Sequence, residues 1–148
     1  MYKRILVPLD GSKRAERILP HVEELANLYN STLIFIMVVA ITNEMQGLPG
    51  THAYMEAEIE QCLEEAESYL VSLKGEFREK GIPSKIIVER GGVVRSIINA
   101  AENEDADLIA LASHGRTGLQ RVFYGSVAAG VLHQVDRPLL IIRARSES

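Results

Sequence analysis

Five apolar runs of strand length alternate along this chain with longer segments whose apolar residues recur every three or four positions. That alternation excludes an all-helical or all-strand fold. Arg4 to Leu9 is the first run, closed by Asp10-Gly11-Ser12, a turn in which Ser12 can cap a following helix. Ile18, Leu19, Val22, Leu25, Ala26 and Tyr29 then form one helical face, with Pro20 predicting a kink or a late start. Thr32 to Ile41 is apolar on both faces, as suits a parallel sheet covered on both sides. An irregular stretch, Thr42 to His52, is expected as a crossover or a lid.

The longest helix follows on a ladder of Met55, Ile59, Cys62, Leu63, Ala66, Leu70, Leu73 and Phe77, ended by Gly81. Its opposite face carries Glu56, Glu60, Glu64 and Glu67, a solvated side, while the ladder places Cys62 in the core. Ile86 to Val88 is a third strand, and Val94, Ile97, Ile98 and Ala101 mark a third helix. Leu108 to Ala112 is a fourth strand, with a loop from Ser113 to Gly118. A fourth helix begins near Gly125-Ser126 with Val127, Val131, Leu132 and Val135 inward, and Leu139 to Ile142 is the last strand.

The order is βαβαβαβαβ over a single domain, residues 1–148. Right-handed crossovers make it an α/β fold, a doubly wound five-stranded parallel sheet of Rossmann-like kind with helices on both faces. Ligands bind such sheets beyond the carboxyl ends of the strands, where the strand order reverses. Asp10-Gly11-Ser12, Val38 to Ala40 and the loop from Ser113 are therefore the candidate site, on topology alone.

Composition narrows the function. A net charge of −4 lacks the basic footprint that nucleic acid or an anionic membrane surface requires. Trp is absent, so the core must be aliphatic. Cys62, the single cysteine, cannot form an internal disulfide, and no apolar run spans a bilayer or resembles a secretory signal, so a cytoplasmic location is expected. His21, His52, His114 and His133 lack metal-ligand spacing, and no metal site is expected from the protein's own side chains.

The stretch from Ala112 to Val127 is the most informative. Glycines let backbone N–H groups approach an anion, and Gly125-Ser126 opens a helix, where free N–H groups and the helix dipole favour phosphate. The Ser126 hydroxyl can add a donor or cap the helix. Arg116 and Arg121 flank the loop and either screen phosphate charge or face water. His114 has no identifiable catalytic partner, so it is read as a loop residue acting through its backbone.

Here the chain resembles the universal stress protein family. That family's nucleotide motif is Gly, two residues, Gly, nine residues, then Gly followed by Ser or Thr. Gly115 and Gly125-Ser126 match it with the gap intact, whereas Ala112 stands where the first glycine belongs. Arg4 to Ser12, Asp107-Leu108-Ile109, Ser113-His114-Gly115 and Arg137-Pro138-Leu139-Leu140 also look like family blocks, in family order. The resemblance implies a sheet of the adenine-nucleotide α-hydrolase-like type. It places Pro8 and Asp10 on the ribose side, Ala112 where the family's backbone approaches the ribose, Val38 against adenine through its backbone, and Gly115, Gly125, Ser126 and Val127 at phosphates; Gly11, Ser12, His114 and Arg116 complete the expected nucleotide site. It further implies ATP with Mg²⁺ held through the phosphates, and a homodimer through Leu139 to Ile142.

The expected function is an ATP-binding stress-response or signalling module. The alternatives are a nucleotide-independent dimeric interaction module and a slow ATP hydrolase serving as a timer. A fast enzyme is disfavoured, since no G-x-x-x-x-G-K-[ST] loop appears and no carboxylate pair stands in the glycine loop to activate water. A receiver domain would want extra acidic residues near the first strand and a lysine after the last, where Arg143 stands; a flavin binder would want a Ser/Thr-rich loop after the first strand.

Overall fold

The computed structural model describes residues 1–40, 52–115 and 125–145. In chain order these form β1 (Arg4–Leu9), a 3-10 turn (Ala15–Ile18), α1 (Leu19–Tyr29), β2 (Thr32–Ala40), α2 (His52–Glu79), β3 (Ser84–Gly91), α3 (Val93–Asn103), β4 (Leu108–Gly115), α4 (Gly125–Gln134) and β5 (Leu139–Arg145). The strands pair in parallel in the order β3-β2-β1-β4-β5. The order therefore reverses between β1 and β4, and β5 lies at an edge.

Period-two alternation divides the core into two layers. Ile5, Val7 and Leu9 of β1 join Leu33 and Phe35 of β2 on one face, packed against Ile18, Val22, Leu70, Leu73 and Phe77. Leu6, Ile34, Ile36, Ile109 and Leu111 take the other face, against Ile97, Ala100, Ala101, Ala128 and Val131. Each such aliphatic side chain, fully removed from water, contributes about 1.5–3 kcal/mol relative to exposure. Phe35 and Phe77 meet edge-on with centroids 5.2 Å apart, joining α2 to the sheet.

Pro20 acts as a late start. The chain first makes the 3-10 turn, and Pro20 then occupies the first turn of α1, where an absent N–H costs nothing. Three strands outrun their apolar runs. β3 spans Ser84–Gly91 because β2 pairs along all of it. β4 and β5 continue through Ser113↔Arg143, His114↔Ala144 and Gly115↔Arg145, so Ser113 to Gly115, expected in a loop, belong to β4, while Arg116 to Gly118 lie outside the described residues. Backbone pairing, which needs no apolar side chain, holds these extensions.

Two side chains face the other way from expectation. Cys62 is exposed, because α2 buries the narrower stripe of Ile59, Ala66, Leu70, Leu73 and Phe77. Leu132 is 44% exposed, since the inward face of α4 runs through Ala128 and Val131. The lid-or-crossover stretch, Thr42 to His52, lies outside the described residues except for His52, which opens α2. No helix among the described residues is long and apolar enough to cross a membrane.

Side chains stitch the amino ends of the strands. Glu104 accepts from Arg4 at 3.0 Å and from Lys85 at 2.8 Å, joining β1, β3 and the end of α3. Asp107 accepts from the N–H groups of Lys3 and Arg4 at 2.9 and 3.2 Å. The carboxyl ends of β1 and β4 are left to diverge.

Candidate functional site

β1 pairs with β2 along its whole length but with β4 only at Ile5↔Leu108 and Leu6↔Ile109. Pro8, which has no N–H to offer a neighbour, lies just beyond the point where the two strands part. A cleft of about 400 Å³ opens there. Pro8, Leu9 and Asp10 form one wall with Arg14 and Ala15, while Ile36, Val38 and Ala40 of β2 and Val93 and Ile97 of α3 supply an apolar side. Leu111, Ala112 and Ser113 of β4 and Ser126, Val127 and Ala128 of α4 close it. A pocket of this size, mainly apolar with a few convergent polar groups, is typical of small-ligand sites.

The turn after β1 holds its carboxylate firmly. Gly11 has φ +83°, a left-handed conformation that an L side chain would strain, and this brings the Ser12 N–H to 2.9 Å from Asp10 Oδ1. Ser12 Oγ in turn accepts from the Ala15 N–H at 3.1 Å, which ties Ser12 to the first residue of the 3-10 turn, whose cap position itself is Arg14. Arg14 Nη2 donates to Asp10 Oδ2 at 3.2 Å. Burial pushes the Asp10 carboxyl up, but hydrogen bonds from Ser12 and the Arg14 charge outweigh it and leave the group below the ordinary 3.8. Asp10 therefore faces the cleft as an oriented anion.

Behind this turn the Tyr69 hydroxyl of α2 donates to the Glu16 carboxylate. Burial, that hydrogen bond and the negative charges of Glu16 and Asp10 hold the phenol protonated well past its usual range. The turn bearing Asp10 is thereby tied to the long helix.

The structure gathers Pro8, Asp10, Val38, Ala112, Ser126 and Val127 in this cleft. Gly11 and Ser12 shape the turn without lining the cleft. His114 and Gly115 are the last residues of β4, and Gly125 is the first of α4. Arg116 and Arg121 lie outside the described residues. The Ala112 side chain is 9% exposed and belongs to the buried layer that includes Val7, Leu9 and Ile18. The core thus accommodates much of the methyl group that replaces the family's glycine hydrogen.

Sequence reasoning missed Arg14 and the apolar α3 wall of Val93 and Ile97, and reached Ser113 only as the first residue of a candidate loop. Arg14 pairs with Asp10 at i,i+4 across the turn, a spacing legible only if the turn is known to continue into helix. Ser113 reads as a turn residue until β4 is seen to extend past it.

Comparison with known proteins agrees with this geometry. The universal stress protein family matches residues 1–143. A universal stress protein of Methanocaldococcus jannaschii is 30% identical over 99% of this chain and 98% of its own length. A solved structure at the same 30% identity superposes with a TM-score of 0.85, covering 100% of this chain and 99% of the other. Two further structures share the fold with TM-scores of 0.62. One is a universal stress protein in complex with cAMP, 21% identical over 97% of this chain and 98% of its own. The other, from Archaeoglobus fulgidus and in complex with dAMP, is 23% identical over 95% and 98%. With a sheet reversing at β1 and β4, a cleft at that reversal, and a family match over nearly all its residues, the chain belongs to the universal stress protein family.

Proposed function

We propose that the cleft binds an adenine nucleotide, ATP in the first instance, and that the chain works as a nucleotide-responsive stress or signalling module. The observation that carries this reading is a single cleft joining three kinds of partner. The Asp10 carboxylate can accept from ribose hydroxyls, as acidic residues do in other nucleotide-binding sheets. Ile36, Val38 and Ala40 offer an apolar surface for a base. The first turn of α4, with Ser126 and Val127, offers N–H groups and the helix dipole to phosphate. The cAMP and dAMP complexes of proteins with this fold support the same ligand class.

Asp10 is the one carboxylate among the described residues lining the cleft, and Arg14 already pairs with it. Mg²⁺ would therefore enter with ATP, held through the phosphates, where it neutralises their charge. The chain's own groups bind and orient. Among the described residues that line the cleft none is paired with a general base that would activate a nucleophile, which supports the reading that any hydrolysis is slow. The edge strand β5 is the proposed route to a homodimer, and a cytoplasmic location fits the unpaired thiol of Cys62.

Denaturing freshly purified protein should release an adenine nucleotide, and the emptied protein should bind ATP with Mg²⁺ in calorimetry. A bulky residue at Gly125 should abolish that binding. If nothing is released and no heat appears, the nucleotide reading fails, and a nucleotide-independent interaction module takes its place.

A further inference from the structure

The geometry points to the Ser113 hydroxyl as a phosphate-contacting donor, a role that rests on the nucleotide reading above. Ser113 is 1% exposed, and its Oγ has no hydrogen-bond partner among the described residues. It nevertheless lines the cleft. A buried hydroxyl left unpaired carries its full desolvation cost, so native structures rarely keep one without a partner arriving from elsewhere.

The other two buried polar atoms without a hydrogen bond among the described residues lie elsewhere. Ser84 Oγ is at the start of β3. Arg137 Nε is in a side chain whose Nη1 already donates to the Ala106 carbonyl. Ser113 is the one of the three that borders the candidate site.

Its direction and neighbours narrow the ligand group. Ile109 and Leu111 face the layer containing α3 and α4, while Ala110 and Ala112 face the opposite layer. Ser113 continues the Ile109–Leu111 row, so its side chain points toward α4. Ser126, Val127 and Ala128, from the first turn of α4, line the same cleft. The opening N–H groups of a helix have no intrahelical acceptor. The Ser113 hydroxyl accepts none of them, since it has no partner. A helix start only donates, so a group that satisfies it and the hydroxyl together is best an acceptor from both; an anionic phosphate oxygen accepts more strongly than a neutral ribose hydroxyl, and an adenine amine donates.

The test compares wild type with Ser113→Ala, a near-isosteric change. Emptied proteins are melted without ligand, and adenosine, AMP, ADP and Mg²⁺-ATP are ranked by competition against one fluorescent adenine nucleotide. Empty Ser113→Ala should melt at or above the wild-type temperature. It should bind the phosphorylated ligands about tenfold more weakly, the loss expected for one hydrogen bond to a charged group, with adenosine unchanged. Unchanged affinity for AMP, ADP and ATP would mean that water satisfies the hydroxyl, and would overturn the inference alone. An equal loss for adenosine would reassign Ser113 to ribose or base, and a large drop in melting temperature would make its role structural; either overturns the phosphate role. Wild-type protein that binds none of the four overturns the nucleotide reading and this inference with it.

Discussion

Asp10 is held as an anion by Ser12 and Arg14 against the effect of its own burial. Because its folded-state value is lowered, its contribution to stability is complete above the ordinary 3.8 and is lost as pH falls through the lowered value. Urea midpoints of wild type and Asp10→Asn, stepped from about pH 6 to about pH 2.5, should converge at the acid end. A gap that stays constant over that range would mean that the ionised carboxylate adds no stability. At this scale the sequence was readable where topology guides it. The reversal rule selects Asp10 and Val38 without a ligand in view. It reaches Ser113 only as the opening of a loop, because a serine after an apolar run looks the same whether a strand continues or a turn begins.

Among the elements, α4 is placed by a missing side chain. A Cβ at Gly130 would lie 2.7 Å from Val94 Cγ2 of α3, closer than real Cβ atoms approach. The two helices therefore meet across a bare backbone, and this contact sets where the first turn of α4 stands against β4. Gly130→Ala gains about 1 kcal/mol of helix propensity. Overpacking against Val94, whose β-branched side chain has little rotamer freedom, costs about 1–3 kcal/mol. The expected result is a net loss of about 1 kcal/mol in chemical unfolding, recovered when Val94→Ala is added. Strictly additive effects of the two changes would mean that the contact does not fix α4. Element existence was legible from periodicity, but element ends were not. β4 and β5 continue over Ser113-His114-Gly115 and Arg143-Ala144-Arg145 because their backbones pair there, and hydropathy does not record pairing.

For the whole molecule, the proposed dimer depends on β5. Its Leu139, Leu140, Ile141 and Ile142 are each half-buried at the sheet edge, with Leu140 and Ile142 against one core layer and Leu139 and Ile141 against the other. An edge strand this apolar invites a cover, and in the proposed dimer a second copy would supply one by extending the sheet. Light scattering at micromolar protein should report a dimer, and Ile142→Lys should yield a monomer with an unchanged circular dichroism spectrum. A monomeric wild type would contradict the proposal. The β1–β4 junction gives this architecture a mechanical character. Sharing only two register pairs, the strands divide the sheet into two rafts, one of three strands and one of two. Beyond Leu6 and Ile109 the two rafts are joined by side-chain packing in the two core layers and not by paired backbone. A molecule touching Asp10 after β1 and Ser113 of β4 would moor them together. Occupancy would then be written in how much the protein breathes, with the empty chain restless along one line and the filled chain still.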